Sequence, residues 1–451
     1  MRPFISLKSI EERINGKGLE IDAVPLAQIL DLDKTPVYVT SLNAVSQRLN
    51  KYKEALSIHF KQNEIFYAMK ANFAAPILNT VSKENFGIDI VSIGEWRKAL
   101  ASGIHPNKVC FAGVGKKESE WKEAILGGLG NLSVEHLTEL TEILDFLSEE
   151  KKLNSIAQKK LVVSLRLNPA VEVDTHPHLK TGALNSKFGV LFEHFCNWLN
   201  AKKMQFKNEE LFLNWINPLK GIHVHIGSQL TENSIFPLVA RKVLDCAQFM
   251  FENKIFVQHI DFGGGLGVGQ NGVPENGEDI FSHVHFVCNA FKQESKKYPK
   301  LLSIWNDDFS NLFVCMEPGR SIVASSTIFL TKVLYEKRNS VENIFCYVDG
   351  AMNDFPRPSI YGAVHHAELV NYDNMNLSKN DLNIFSWNIV GPVCESGDFL
   401  AKNALLPQIH KGDVIAFFEA GAYCRSMASQ YNLRELPSEI FVRDGNITDI
   451  F

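Results

Sequence analysis

Eight short β-rich runs alternate with helix-like segments up to residue 319, and this alternation constrains the fold more than any other feature of the chain. The runs are EIFYAMK ending at Lys70, GIDIVS at 87–92, VCFAG at 109–113, NLSVE at 131–135, LVVSLRLN at 161–168, GIHVHIG at 221–227, VQHIDFGGG at 257–265 and LFVCMEPG at 312–319. They are rich in β-branched and aromatic residues and bounded by turn formers, as strands are. The clearest intervening segment, SIGEWRKALASGI, places Ser92 and Glu95 at capping-box spacing and Trp96, Leu100 and Ile104 at helical spacing. Strands alternating with helices close into a parallel (β/α)8 barrel of the TIM type.

From residue 330 onward the pattern changes to strand-like pieces punctuated by Gly and Pro, such as ENIFCYVDG, DLNIFSWNIVG, GDVIAFFEAGAY and SEIFVRDGNI. A second, mostly β domain is expected there. The division expected is a barrel over 37–327 and a β-sandwich or barrel-like domain over 328–451 to which residues 1–36 contribute. At 451 residues, 45% hydrophobic and 22% charged with a net charge of −5, the chain suits a globular protein and gives no electrostatic reason to bind nucleic acid. The first thirty residues carry charges throughout and no apolar run approaches the roughly 18 residues needed to cross a bilayer, so no membrane partner and a cytoplasmic location are expected. The eight cysteines are scattered, with no C-x-x-C pair, which points to reduced core thiols; Cys394, in a loop rich in polar groups, is the exception.

The strands end on unusual residues for an apolar barrel. They deliver Lys70, Asp89, Arg166, His225, the glycines 263–265, and Glu317 with Arg320. Each alone has a bland reading: Lys70 as a snorkelling side chain, Arg166 and Asp89 as a structural ion pair, His225 as a core histidine. Their joint placement where barrel enzymes keep their chemistry favours function. A desolvated lysine at a strand tip favours its neutral amine and becomes a nucleophile toward carbonyls, which points to pyridoxal phosphate. In that scheme the DFGGGLG run and Ser228 meet the phosphate, His225 stacks on the ring and Glu317 bonds the pyridine nitrogen. The glycines do not fit G-x-G-x-x-G, so a dinucleotide site is rejected. Two H-x-H pairs, His223/His225 and His283/His285, raise a metal site, but the second pair falls in a helix-like stretch where i and i+2 do not share a face, and no metal is expected.

Taken together, YAMKAN at 67–72, FGIDIVSIGE at 86–95, TGALNSKFG at 181–189, HVHIGSQ at 223–229, DFGGGLG at 261–267, EPGR at 317–320, MNDFPRPSIYGA at 352–363, GPVCESGD at 391–398 and GAYCRSMASQYN at 421–432 cover nearly the whole chain. This series resembles the pyridoxal-phosphate-dependent amino-acid decarboxylases with an alanine-racemase-like barrel, and among their branches the one acting on diaminopimelate. The resemblance implies Lys70 as the cofactor-bonded lysine, His225 on the ring, Glu317 on the pyridine nitrogen, and Ser228, Gly265, Gly319 and Tyr423 toward the phosphate, with Asp89, Arg166, Gly264 and Arg320 also among the cofactor's neighbours. It implies substrate contacts from Arg320, Arg357, Tyr361 and Tyr423, and a homodimer in which Cys394, as proton donor, and Glu395 arrive from the second subunit. The small amino-acid substrate expected is meso-diaminopimelate, decarboxylated at its D-centre. Sister enzymes for ornithine, lysine, arginine or carboxynorspermidine, and a non-catalytic regulatory homologue, are the alternatives. Arg357 together with a CES loop argues against the former, and retention of Lys70, His225, Glu317 and Cys394 against the latter. Three places depart from the family pattern: Asp349 to Met352, Cys424 after GAY, and a long interval at 191–218.

Overall fold

The computed structural model describes residues 4–7, 18–31, 35–149, 161–171, 186–230, 234–269, 279–340, 343–371 and 383–451. All eight expected strands form, in the expected order: β1 (Gln62–Ala68), β2 (Gly87–Ile90), β3 (Val109–Phe111), β4 (Asn131–Val134), β5 (Val162–Asn168), β6 (Leu219–His223), β7 (His259–Asp261) and β8 (Phe313–Met316). Neighbours pair in parallel, and β8 closes on β1 with Met316 opposite Ile65. Residues 181–185 of the TGALNSKFG motif lie outside the described residues, whereas Phe188 and Gly189 are described.

Helices wrap the barrel and bury their apolar faces against it. In Ile93–Ala101, Trp96 and Ala99 are buried and the Ser92 hydroxyl accepts from the Glu95 N–H at 3.2 Å. The return bond differs from the expected capping box, because the Glu95 carboxylate accepts from Val91 N–H (2.7 Å) rather than from Ser92. The long interval at 191–218 is filled by two helices, Phe192–Lys203 and Glu209–Ile216, whose Phe195, Leu199, Phe212 and Ile216 join the core. The second H-x-H pair does fall on a helix, Ile280–Ser295. There His283 is buried against Phe236, while His285 meets His59 at 2.9 Å, so the two imidazoles have different neighbours.

The second region is built around one long strand, Thr327–Arg338, which pairs antiparallel with Ile344–Val348, Val37–Ser41 and Val414–Phe417 along different parts of its length. Val37–Ser41, inside the segment expected to belong to the barrel, is thus a member of the second sheet, where it also runs parallel to Ser438–Arg443. Its composition, VYVTS, is that of any buried strand, so nothing local distinguishes the two destinations. A small N-terminal sheet (Ile5–Leu7, Leu19–Ile21, Val24–Pro25) packs Ile5, Ile21 and Val24 into the same cluster as Ile328, Leu330 and Ile440. Where the two regions meet, Asn72 donates to Gly421 O (3.2 Å) and Tyr423 N–H donates to Ala71 O (2.9 Å). This seam brings Tyr423 beside Lys70's turn. Among the described residues no helix is long and apolar enough to cross a membrane.

Candidate active site

Because strand side chains alternate, residues two apart along a barrel strand both face inward. The last inward positions at the C-terminal mouth carry the charges. Lys70 sits on a single 3₁₀ turn, Met69–Ala71, directly after β1, and its ammonium pairs with Asp89 of β2 at 3.0 Å. The neutral amine expected from the sequence is not what this pairing favours. Burial pushes the lysine's pKa down, but Asp89, with Tyr423 and Glu317, outweighs it and holds the ammonium form. Asp89 itself is pushed up to about 7 by burial and by Glu317, with Lys70 opposing. Asp89 and Arg166 do not pair with each other, as the bland reading had it. Arg166 instead bonds Glu135, whose second oxygen accepts from Gly189 N–H (2.9 Å), and it lies over the Phe188 ring at 4.8 Å. Glu135, at the end of NLSVE, is what ties the tail of the TGALNSKFG motif to the barrel.

Glu317 follows β8 and lies at the centre of the floor. Its two oxygens face different partners: His223 Nε2 at 3.3 Å and the Cys110 thiol at 3.4 Å. Burial alone would raise its pKa, yet His223 and Lys70 hold it well below the usual carboxylate range. His225 has its Nδ1 accepting from Gly264 N–H at 3.1 Å, which leaves any ring proton on Nε2. Burial, Arg166 and Lys70 all keep this imidazole neutral. Asp261 shapes the glycine loop by accepting from Gly263 N–H at 2.7 Å, and burial together with Glu317 pushes its carboxyl up to about 8. Asp261 and His223 were not among the expected site residues. His223, Asp261 and Glu317 bring ligand-type atoms within 4.8 Å of one another, so the first H-x-H pair contributes one histidine to this cluster and one to the glycine loop.

The glycine loop admits no side chains. A Cβ on Gly264 would lie 2.3 Å from Glu317 O, and Gly265 has φ +122° with a Cβ position 2.5 Å from Gly227 O. Gly264 N–H is already committed to His225. Ser228 Oγ accepts from Arg320 (Nη2, 3.1 Å), and the Arg320 guanidinium lies 4.8 Å from the centre of the Tyr423 ring. Arg357 donates to His365 Nε2 at 3.1 Å, and His365 in turn donates from Nδ1 to Phe418 O at 2.9 Å. Burial and the Arg357 charge push His365 down to about 3, so a neutral imidazole orients Arg357; this residue also went unrecognised in the sequence. Tyr361 Oη lies 4.0 Å from Met427 Sδ. Burial and Arg357 lower Arg320 to about 10, the mark of two guanidiniums sharing one space.

These groups converge on a cavity of about 400 Å³ lined by Lys70, His225, Ser228, Glu317, Arg320, Arg357, Tyr361 and Tyr423. A larger opening, about 780 Å³, lies at the opposite end of the barrel, but its lining of amides and apolar side chains includes no charged residue. The smaller cavity is the chemical one. Gly319 caps the short Arg320–Val323 helix that carries Arg320. Cys394 and Glu395 do not reach it: both are exposed, and Glu395 accepts from Tyr431 Oη at 2.5 Å. Cys424, one of the departures from the family pattern, is a buried core thiol in the second region.

The residues present fit pyridoxal 5′-phosphate. The cavity offers a lysine, a flat neutral imidazole, an ionised carboxylate and backbone bare of side chains, and four buried polar atoms in this region, Asp89 Oδ1, His223 Nε2, Asp261 Oδ2 and Arg320 Nη1, have no hydrogen-bond partner among the described residues, His223 Nε2 lying at ion-pair distance only from Glu317. Fold and site therefore define a barrel enzyme that works through a pyridoxal-type cofactor. Residues 42–324 match the family described as "Pyridoxal-dependent decarboxylase, pyridoxal binding domain", and the chain belongs to that family. It is 35% identical to the diaminopimelate decarboxylase of Helicobacter pylori over 93% of each chain, and 33% identical to that of Aquifex aeolicus over 95% of this chain and 91% of the other. Its fold is similar to the crystal structure of the Helicobacter pylori enzyme complexed with L-lysine, with a TM-score of 0.77 at 34% identity over 94% of this chain and 95% of that one.

Proposed function

We propose that this chain removes the carboxylate from the D-centre of meso-diaminopimelate, releasing L-lysine and carbon dioxide. The observation that carries the reading is the pairing, in one cavity, of Lys70 with two arginines, Arg320 and Arg357, that have no carboxylate partner among the described residues. A substrate that keeps one carboxylate after losing another needs such a bidentate anchor, and a substrate with a plain diamine side chain does not.

Bound pyridoxal 5′-phosphate supplies an electron sink for the pair left when the bond between the α-carbon and the carboxylate breaks. Lys70 would hold the cofactor through Nζ, with the Asp89 carboxylate beside that nitrogen. Glu317 would accept from its ring nitrogen. His225 would cover its ring without adding charge, with Arg166 and Gly264 supporting that wall. Ser228, Gly265, Gly319 and Tyr423 would hold its phosphate. Arg320, Arg357 and Tyr361 bind the carboxylate that stays. Most cofactor contacts come from before residue 327 and most substrate contacts from beyond it, with Arg320 and Tyr423 crossing that division.

Cys394 and Glu395 enter from a second copy of the chain, with the Cys394 thiol returning a proton to the α-carbon and Glu395 meeting the distal ammonium. Exposed apolar side chains near them, Ile360, Val364 and Leu433, support a homodimer contact there. Mixing the inactive Lys70→Ala and Cys394→Ala chains then restores up to about a quarter of the activity, because half the dimers are mixed and each has one intact site; no restoration contradicts a shared site. The eight free thiols support a reducing, cytoplasmic location.

The substrate test is lysine and carbon dioxide release from meso-diaminopimelate by protein supplied with pyridoxal phosphate, beside ornithine, lysine, arginine and carboxynorspermidine. Turnover of meso-diaminopimelate alone is expected. Preference for another amino acid overturns the substrate, and no turnover by cofactor-loaded protein favours a regulatory homologue.

A further inference from the structure

His223 lines the cavity beside Glu317 but is almost fully buried, with only 2% of its side chain exposed. Its Nε2 faces Glu317 Oε2 at 3.3 Å, and its Nδ1 lies 2.7 Å from Ser133 Oγ. A serine hydroxyl accepts from an N–H as readily as it donates to a bare nitrogen, so the ring can carry protons on both nitrogens. The Cys110 thiol holds the other Glu317 oxygen from the floor side at 3.4 Å. Two strands, β3 and β6, thus each send one side chain to a carboxylate carried just past β8, and β4 supplies the hydroxyl that anchors the imidazole.

We propose that His223 is the positioning residue of Glu317: anchored by Ser133, it holds that carboxylate in the orientation in which it would meet the cofactor's ring nitrogen. The inference rests on the role given to Glu317 above. The groups facing the imidazole work in opposite directions. Glu317 and Asp261 favour the imidazolium, burial and the Arg166 charge oppose it, and the balance lies above the ordinary histidine value. The neighbouring His225 and His259 are both kept neutral by burial, so the imidazolium competes with no adjacent cationic ring. Without His223 the floor would hold three carboxyls, Asp89, Asp261 and Glu317, and one fewer cation to settle which of them stays ionised. A cation bound by His223, Asp261 and Glu317 is the opposing reading, since a metal ligand must give up its proton.

The test has two arms. In cofactor-free protein with isotope-labelled histidine, the resonance lost in His223→Gln is expected to titrate above the ordinary histidine value and to shift to lower pH in Glu317→Gln. A ring that stays neutral from pH 6 to 8, or one whose signal changes on chelator treatment, overturns the proposal. In the loaded enzyme, His223→Gln is expected to lower kcat by about 10- to 100-fold with KM changed less than about threefold, as supporting partners of functional groups do. The double variant with Glu317→Gln should lose no more than Glu317→Gln alone; additive losses mean the two residues act separately and overturn the link. Should His223→Gln not fold, Ser133→Ala moves the titration and kcat in the same directions by less. If Glu317→Gln keeps full kcat, the reading of Glu317 fails and the positioning role fails with it, whereas an intact Glu317 effect with an unchanged His223 variant rejects the positioning role alone.

Discussion

The mouth and the base of the barrel are built by the same strands, two residues apart, and they differ in charge. Asn131 and Ser133, Ser164 and Arg166, His259 and Asp261, Cys315 and Glu317 are such pairs. At the base, Ser164 Oγ donates to Asn131 Oδ1 at 2.9 Å, and the His259 ring lies 3.4 to 3.5 Å from Asn131, Ser164 and Cys315. Burial and His223 push His259 down to about 4, so the whole layer is neutral. One layer up, Lys70, Asp89, Arg166, Glu317 and His223 crowd together with few compensating partners. Buried charges cost stability unless well paired. The base shows that this barrel fills its interior without them, so the charges at the mouth are kept for chemistry.

The largest effect should come from the mouth. Lys70→Ala is expected to lower lysine release on the order of 10³-fold or more, and to lower the melting temperature because it leaves buried Asp89 without its ion-pair partner. Next, Arg357→Leu should reduce kcat/KM by about 100-fold, chiefly through KM, as lost charge-assisted pairing of about 2–3 kcal/mol; steady-state kinetics checks it. At the base activity is spared. Ser164→Ala, which leaves Asn131 Oδ1 short of a donor, should cost about 1–2 kcal/mol of stability in denaturant titration and change kcat/KM less than twofold.

The smallest effect sharpens the comparison through pH. Asp261 has its pKa raised on folding, so the stability it contributes is full below the unfolded carboxyl value of about 3.9 and is lost as pH rises through about 8. Cofactor-free protein should therefore melt a few degrees lower at pH 8.5 than at pH 5, and Asp261→Asn, which keeps an oxygen for Gly263 N–H, should flatten that slope. An unaltered slope would place the proton elsewhere in the mouth.

How much of this was legible follows the same division. The barrel strands could be read because each combines a β-rich run with a nearby helix, and the mouth could be read because a charge at the end of an apolar run stands out. Partnerships could not. Arg166 meets Glu135, not Asp89, and Glu317 meets His223, because these contacts depend on which strands lie side by side across the barrel. Lys70 was expected as a neutral amine because its burial is evident in the apolar run, while the Asp89 ion pair that overrides it is not. Val37–Ser41 joins Ser438–Arg443 across some 400 residues of chain, a contact no local pattern encodes. Gly264 shows the same limit: a glycine-rich run advertises bare backbone, but not that one of its N–H groups is taken by His225.

Lys70 and Lys116 offer the most direct test of the central claim, that the charged mouth is a cofactor site anchored on one lysine. Both are at the mouth side of the barrel, but Lys116 is satisfied by Glu139 and by the carbonyls of Gly113 and Ser133, whereas Lys70 faces the cavity with Asp89 as its ion-pair partner. Borohydride reduction of protein loaded with pyridoxal phosphate, followed by peptide mapping, should place the modification on Lys70 and nowhere else. A label on Lys116 or on scattered surface lysines, with Lys70 unmodified, would contradict the account.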